Sequence, residues 1–227
     1  DESMLDAKVV GGQYDFCGFN VSIENYATYQ DAAEDGGYEV MIWPSGRGSD
    51  VVYNFNCNWN MEEGVPTDEQ EPDMMRDIFW DDRWRQAMSL AINRDDINDV
   101  VYFGNGTPRQ MTVIPASNFF KPEYAQAYAD YDPDQANAYL DELGLEWDEN
   151  GEIRLWPDGT PLELNFDIYE SETPKGPITE LVAEYWSAIG GKINCKSITG
   201  NLLSEKMLAN EEPVSLWHGG RTTDVLF

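Results

Sequence analysis

The order of predicted elements in the last third of the chain is the feature that most constrains its fold. A strand is predicted over 162–169, and a strongly amphipathic helix follows it over 177–189. Further strands are predicted over 193–198 and 214–217, with a helix over 201–210 between them. This β-α-β-α-β order is typical of a sheet whose strands are joined by crossover helices. The sequence therefore predicts an α/β fold.

A pair of helices is predicted near the middle of the chain. Apolar residues recur at helical spacing over 84–92 and again over 97–101. Asn93, between the two runs, suits an N-cap, and the acidic residues that follow it suit the positive end of a new helix. We expect Arg85 and Arg94 to lie on a solvated face, in salt bridges with neighbouring acids.

Local signals place several other elements. Helices are predicted over 22–34 and 131–144, the second one capped by Asp132 with a proline at its first position. Strands are predicted over 38–43 and 51–55, with a turn between them. Because no internal repeat and no Gly/Ser-rich linker divides the chain, we interpret residues 1–227 as one α/β lobe.

Composition restricts the class of protein. The 227 residues are 41% apolar, enough for a full core, and they contain no apolar run of about 18 residues that could span a membrane. The formal net charge is −29, from 43 acidic and 14 basic residues. A chain this acidic repels phosphate backbones and anionic lipid surfaces, so nucleic acid is not an expected partner.

The sequence lacks the usual signatures of catalysis and of cofactor binding. There is no P-loop, GxSxG, HExxH or dinucleotide GxGxxG pattern, and His218 is the single histidine. Cys17, Cys57 and Cys195 are odd in number and form no CxxC, so neither a disulfide framework nor a zinc site is indicated. We expect no metal or organic cofactor and no enzyme activity, although paired carboxylates leave a glycosidase open.

Two tracts carry a resemblance to a known family. Residues 85–97 read RQAMSLAINRDDI, and V-x-x-G-x-G-x-P follows over 101–108. Residues 131–145 match the pattern Y-D-P-x-x-A-x-x-x-L-x-E-x-G-L. In these tracts the chain resembles the family 5 extracellular solute-binding proteins, the oligopeptide-, dipeptide- and nickel-type receptors of ABC importers. The resemblance is dense over 81–217 and looser before it.

The resemblance implies both a fold and a role. Such receptors have two lobes that close on a ligand about a hinge, and each lobe is of the type II periplasmic-binding-protein kind, a mixed sheet flanked by helices. The match begins partway into the family's pattern, so we expect this chain to be the second lobe, with the first lobe outside it. The resemblance further implies an extracellular or periplasmic monomer, anchored as a lipoprotein, that delivers solutes to an ABC permease.

The ligand class stays open between two main alternatives. The resemblance favours oligopeptides or similar small solutes, and an oligosaccharide receptor of the same family is the alternative. An extracellular carbohydrate-active enzyme and a surface interaction protein without a small ligand are further alternatives from other classes. Aromatic residues make up 13% of the chain, which permits sugar stacking, but we expect most of the eight tryptophans to lie in the core.

The C-terminal tract holds the main candidate binding residues. Trp217 is predicted to end a strand, and it is followed by His218, Gly219, Arg221 and Asp224. Polar groups at the carboxyl end of a strand lie where open α/β sheets bind ligands. The tryptophan offers a stacking face, and the arginine could clamp a carboxylate through two parallel hydrogen bonds. The alternative is a hinge loop whose tryptophan fills the core.

In the peptide-binding relatives that the chain resembles, this tract reads G-W-x-x-D or G-W-x-G-D, and its aspartate holds the peptide's amino terminus. Gly220 stands at that position here. Two asparagines are further candidates for the cleft. Asn56 follows a predicted strand near the hinge, and tying down a loop would also explain it. Asn201 follows the strand over 193–198, and capping the next helix would also explain it.

Overall fold

The computed structural model of the chain describes residues 2–43, 46–169 and 173–221. No helix in these ranges is both long enough and apolar enough to cross a membrane. Short 3-10 turns occur at Ile23–Asn25 and Thr67–Glu69. The helices are α1 Glu2–Val10, α2 Tyr26–Gly36, α3 Met74–Trp80, α4 Asp82–Leu90, α5 Arg94–Val101, α6 Pro122–Gln126, α7 Pro133–Glu142, α8 Lys175–Ala188 and α9 Gly200–Leu208. The strands are β1 Arg47–Phe55, β2 Glu163–Ile168, β3 Lys192–Ser197 and β4 Val214–Arg221.

The strands form two ladders that lie side by side. β2 and β3 are parallel and are joined by α8, which confirms the predicted crossover unit. β4 pairs antiparallel with β1, from Phe55 opposite Val214 to Arg47 opposite Arg221, and the register shifts between Ser49 and Val52. β4 also lies beside β2 without joining its ladder. Among the described residues, the last strand thus pairs with the first one.

The core lies on one face of this sheet. Tyr53 on β1 stands opposite Leu216 on β4, and its ring lies 5.6 Å from Phe166 on β2 and 5.1 Å from Trp186 on α8. Side chains alternate along a strand, so the strand neighbours of these core residues point to the opposite face of the sheet, which we call the outer face. On that face, Lys206 of α9 forms an ion pair with Asp167 of β2. Trp84, Trp156 and Trp186 are the three buried tryptophans of the eight, so the expectation that most are in the core was wrong.

The predicted helix pair is confirmed as α4 and α5. Trp84 and Met88 on α4 and Ile97 on α5 are buried in the core, which is the apolar spacing that predicted both helices. The side chain of Asn93 accepts a hydrogen bond from the backbone N–H of Asp96 at 3.1 Å and so caps α5. Each buried apolar side chain of this kind contributes about 1.5–3 kcal/mol to stability.

The two arginines of the helix pair differ from each other. Arg85 forms the expected surface ion pair, with Asp82. Arg94 instead donates hydrogen bonds to the backbone oxygens of Ser89 at 2.9 Å and Ala129 at 3.2 Å. Burial lowers the pKa of Arg94 to about 10. The prediction of a solvated Arg94 was wrong, because this guanidinium joins the end of α4 to the loop before α7.

The predicted helix over 131–144 is confirmed as α7. The carboxylate of Asp132 accepts from the backbone N–H of Gln135 at 2.9 Å, and Pro133 opens the helix. Ala136 and Leu140 are buried. This helix packs against α4. The family-like tract therefore supplies one wall of the core.

The strand predicted over 38–43 is wrong. These residues form no strand and pair with none in the described part of the chain. Met41 is 60% exposed and Trp43 is 68% exposed, so the apolar residues of the segment do not form a buried face. The Tyr38 hydroxyl donates to the backbone oxygen of Tyr29 and ties the segment to α2. β1 begins at Arg47, within the predicted turn.

Candidate functional site

β4 is longer than the sequence predicts, and this changes the setting of the C-terminal candidates. The strand continues to Arg221, so Trp217 lies within the ladder opposite Val52, and Gly219 lies opposite Ser49. The prediction that the strand ends at residue 217 was wrong because β1 extends back to Arg47 and supplies the extra partners. Trp217 therefore projects from the outer face of the sheet on a fixed backbone.

Trp217 forms an aromatic pair at the end of β2. Tyr169, the residue after β2, stacks on it with ring centroids 6.4 Å apart and planes 16° apart. The His218 ring lies 5.2 Å away. Trp217 is 36% exposed, so it does not fill the core, contrary to the alternative interpretation. The pair presents a rigid aromatic surface to solvent, of the kind that binds apolar or sugar faces.

A buried cation lies beside the aromatic pair. Lys175, the first residue of α8, is 1% exposed, and its Nζ atom lies 5.4 Å from the centroid of Trp217. A cation over an aromatic ring is attracted by the ring quadrupole, the more so when water is excluded. Lys175 also has a further partner within the protein. Thr173 lies two residues before Lys175. Its buried Oγ1 atom has no hydrogen-bond partner within the described ranges.

A loop crosses the outer face next to this group. A Cβ atom at Gly219 would lie 2.4 Å from Val52 Cγ2 and 2.6 Å from Met111 Cγ, so only glycine lets the Met111 loop approach β4 there. In the same loop, the guanidinium of Arg109 donates to the backbone oxygen of Gly48 at 3.3 Å. Its Cζ atom lies 6.0 Å from the ring centroid of Phe120. Sequence reasoning missed both loop residues, since no local motif marks a loop that crosses a sheet.

A half-open cavity of about 960 Å³ runs along β1, between that strand and α4, α5 and α8. Protein sites for small molecules have volumes of roughly 300–1,000 Å³, so it is large enough for a short oligomer. Trp217 does not line the cavity, but its ladder partner Val52 and the loop residue Met111 do. The aromatic pair and the cavity are therefore neighbours through Val52.

The two asparagine candidates stand apart from this group, and neither lines the cavity. Asn56 Nδ2 donates to Asn210 Oδ1 at 2.7 Å and to the backbone oxygen of Glu212 at 3.0 Å, so it ties down the loop before β4. Asn201 is exposed in the first turn of α9. The cap of α9 is Thr199, not Asn201.

The remaining candidates are described only in part. The backbone of Arg221 stands opposite Arg47 at the end of the ladder, and its side chain lies outside the described side chains. Asp224 lies outside the described residues. Among the described residues, no group of three or more His, Cys, Asp or Glu side chains is placed to hold a metal ion.

Comparison with known proteins identifies the family. The sequence model of one protein family, the "Bacterial extracellular solute-binding proteins, family 5 Middle", matches residues 1–225. The chain belongs to this family. A probable ABC transporter-binding protein of Deinococcus radiodurans is 25% identical over 134 residues, covering 59% of this chain and 22% of the relative. The dipeptide-binding protein of Escherichia coli is 30% identical over 115 residues, covering 51% and 19%.

Solved structures of the same fold agree with this assignment. An oligopeptide-binding protein OppA is 31% identical with a TM-score of 0.75, covering 97% of this chain and 34% of that one. MelB of Agrobacterium fabrum, solved in complex with stachyose, is 16% identical with a TM-score of 0.73, covering 96% and 33%. The type II periplasmic-binding-protein-like fold is thus confirmed. The chain spans about a fifth of the length of the curated relatives that it matches.

Proposed function

We propose that residues 1–227 form the second lobe of a two-lobed receptor that binds a solute and delivers it to an ABC importer. Family membership over residues 1–225 supports this role, and the relatives are solute-binding proteins rather than enzymes. Closure about a hinge would bury the solute between this lobe and the other one. The receptor would act as an extracellular or periplasmic monomer with a lipid anchor, and would bind neither nucleic acid nor a cofactor.

The exposed stack of Tyr169 on Trp217 is the observation that supports a solute site at this end of the sheet. Its aromatic surface is fixed by a strand on one side and by the start of α8 on the other. His218 and Gly219 continue the same strand, and Arg221 and Asp224 follow in sequence. A site with this fixed geometry needs little ordering on binding, which favours affinity.

Oligopeptides or similar small solutes are the proposed ligands, in line with the names of the oligopeptide-binding protein OppA and the dipeptide-binding protein. An oligosaccharide is the second candidate, and one observation favours it. Gly220 stands where the peptide-binding pattern has an aspartate, so that position has no carboxylate for a peptide's amino group. The relative solved with stachyose has the same fold.

Calorimetry on the full-length protein tests the proposal, with short peptides and then oligosaccharides as titrants. We expect saturable binding of one class, without turnover, and a loss of about tenfold or more in affinity for Trp217→Ala, because stacked aromatic anchors dominate binding energy. Tyr124→Ala is the matched control, since Tyr124 is an exposed aromatic on α6. Release of hydrolysis products from any oligosaccharide would contradict a receptor and indicate an enzyme.

A further inference from the structure

The charge of the cavity along β1 is opposite to that of the whole chain. The chain has 43 acidic and 14 basic residues, yet among the described residues the cavity is lined by four arginines and by one carboxylate, Asp50. The four are Arg47, Arg85, Arg94 and Arg109. Asp50 is itself engaged by the Tyr102 hydroxyl at 3.4 Å. A concave surface lined by one sign of charge raises the local concentration of ligands of the other sign.

Three of the four arginines have partners within the protein that are separate from the cavity's role. Arg85 pairs with Asp82 and donates to the backbone oxygen of Phe79. Arg94 donates to backbone oxygens at the end of α4 and before α7. Arg47 has a partner of its own within the protein, so it enters the argument only through its charge.

Arg109 is different. Within the described ranges its guanidinium has one hydrogen-bond acceptor, the backbone oxygen of Gly48, although a guanidinium carries five N–H donors. It has no carboxylate partner there, in a chain with a threefold excess of acids. The Phe120 ring, 6.0 Å from its Cζ atom, limits the positions that the guanidinium can take. Its remaining N–H groups form an oriented set of donors at the wall of the cavity.

From this geometry we infer that Arg109 binds a carboxylate of the transported solute, at the end of the cavity next to Gly48 and Gly219. The inference rests on the proposed function and narrows the solute to a molecule that carries an acidic group. Arg109 holds the charge, and the aromatic pair of Tyr169 and Trp217 would pack against the rest of the solute. A planar fork of donors matches the two oxygens of a carboxylate, which a lysine cannot do.

Matched acid and neutral probes test this on the full-length protein. The peptide arm compares trialanine with its C-terminal amide, and the saccharide arm compares trigalacturonate with its methyl ester. In one arm we expect the acid to bind about tenfold or more tightly than its neutral form, since hydrogen bonds between charged groups are the strong ones. Arg109→Gln should abolish this preference, and Arg109→Lys should restore it only in part. Arg83→Gln, which removes an exposed arginine paired with Asp81, should preserve it.

Each result is decisive. A preference for the acid in the peptide arm or in the saccharide arm supports the inference and identifies the source of the carboxylate. Equal or tighter binding of the neutral forms, or a preference that survives Arg109→Gln, overturns the inference and leaves the receptor role intact. If neither arm shows binding, the inference fails together with both proposed ligand classes.

Discussion

Two arginines show how differently two regions of this molecule are built. Arg154 is fully buried, and it donates to Asp141 Oδ1 at 2.7 Å, Leu145 O at 2.5 Å, Ile189 O at 2.9 Å and Asn137 Oδ1 at 2.7 Å. Arg109 lines a cavity and has a single hydrogen-bond acceptor among the described residues. The first arginine joins α7, α8 and the turns between them. The second has N–H donors without an acceptor among the described residues, and these are available to bind a solute.

The largest expected effect is on stability, from replacing Arg154, whose guanidinium is fully hydrogen-bonded. Arg154→Met should lower the free energy of unfolding by about 3–5 kcal/mol, because it leaves two backbone oxygens and one amide oxygen buried without a donor. Arg109→Met should change it by less than about 1 kcal/mol. Urea unfolding of the 227-residue chain, followed by tryptophan fluorescence, measures both. Equal losses would show that the contrast between the two arginines is false.

The second comparison is between adjacent residues of β4. Leu216 is 1% exposed and faces the core, whereas Trp217 is 36% exposed on the outer face. Leu216→Ala should therefore cost about 2–5 kcal/mol of stability, through lost burial and an unfilled cavity. Trp217→Ala should cost clearly less than Leu216→Ala, despite removing a larger side chain, and its main effect should be on solute affinity. A larger loss of stability for Trp217→Ala would make Trp217 a core residue rather than a binding surface.

Sequence reasoning succeeded where the determinants are local. The cap at Asn93 and the Asp132-Pro133 start of α7 depend on residues within one turn of each other, and the structure confirms them. The β2–α8–β3 order, also confirmed, follows from the periodicity within each of its three elements. The strand prediction over 38–43 failed because the segment has the β-branched and aromatic residues of a strand but no strand partner in the described part of the chain.

The site itself depends on long-range contacts that no local pattern records. Tyr169 and Trp217 are 48 positions apart, and their rings meet only because β4 lies beside β2. Arg109 reaches Gly48 because its loop crosses the sheet, and Gly219 makes room for that loop. From the sequence alone, Trp217 could be named as an anchor, but its neighbours could not.

The smallest expected effect separates a cap from a candidate ligand residue at the start of α9. Thr199 accepts the backbone N–H of Leu202, so Thr199→Ala should lower stability by about 1 kcal/mol and leave solute affinity unchanged. Asn201→Ala should change stability by less than about 0.5 kcal/mol, because its side chain is exposed. If Asn201 donates to the solute, affinity falls severalfold in that variant alone. Urea unfolding measures the stability of both variants, and calorimetry measures their affinity for the solute. An unchanged affinity of Asn201→Ala would show that Asn201 lies outside the site, whose boundary would then be the outer face of the sheet and the Arg109 loop.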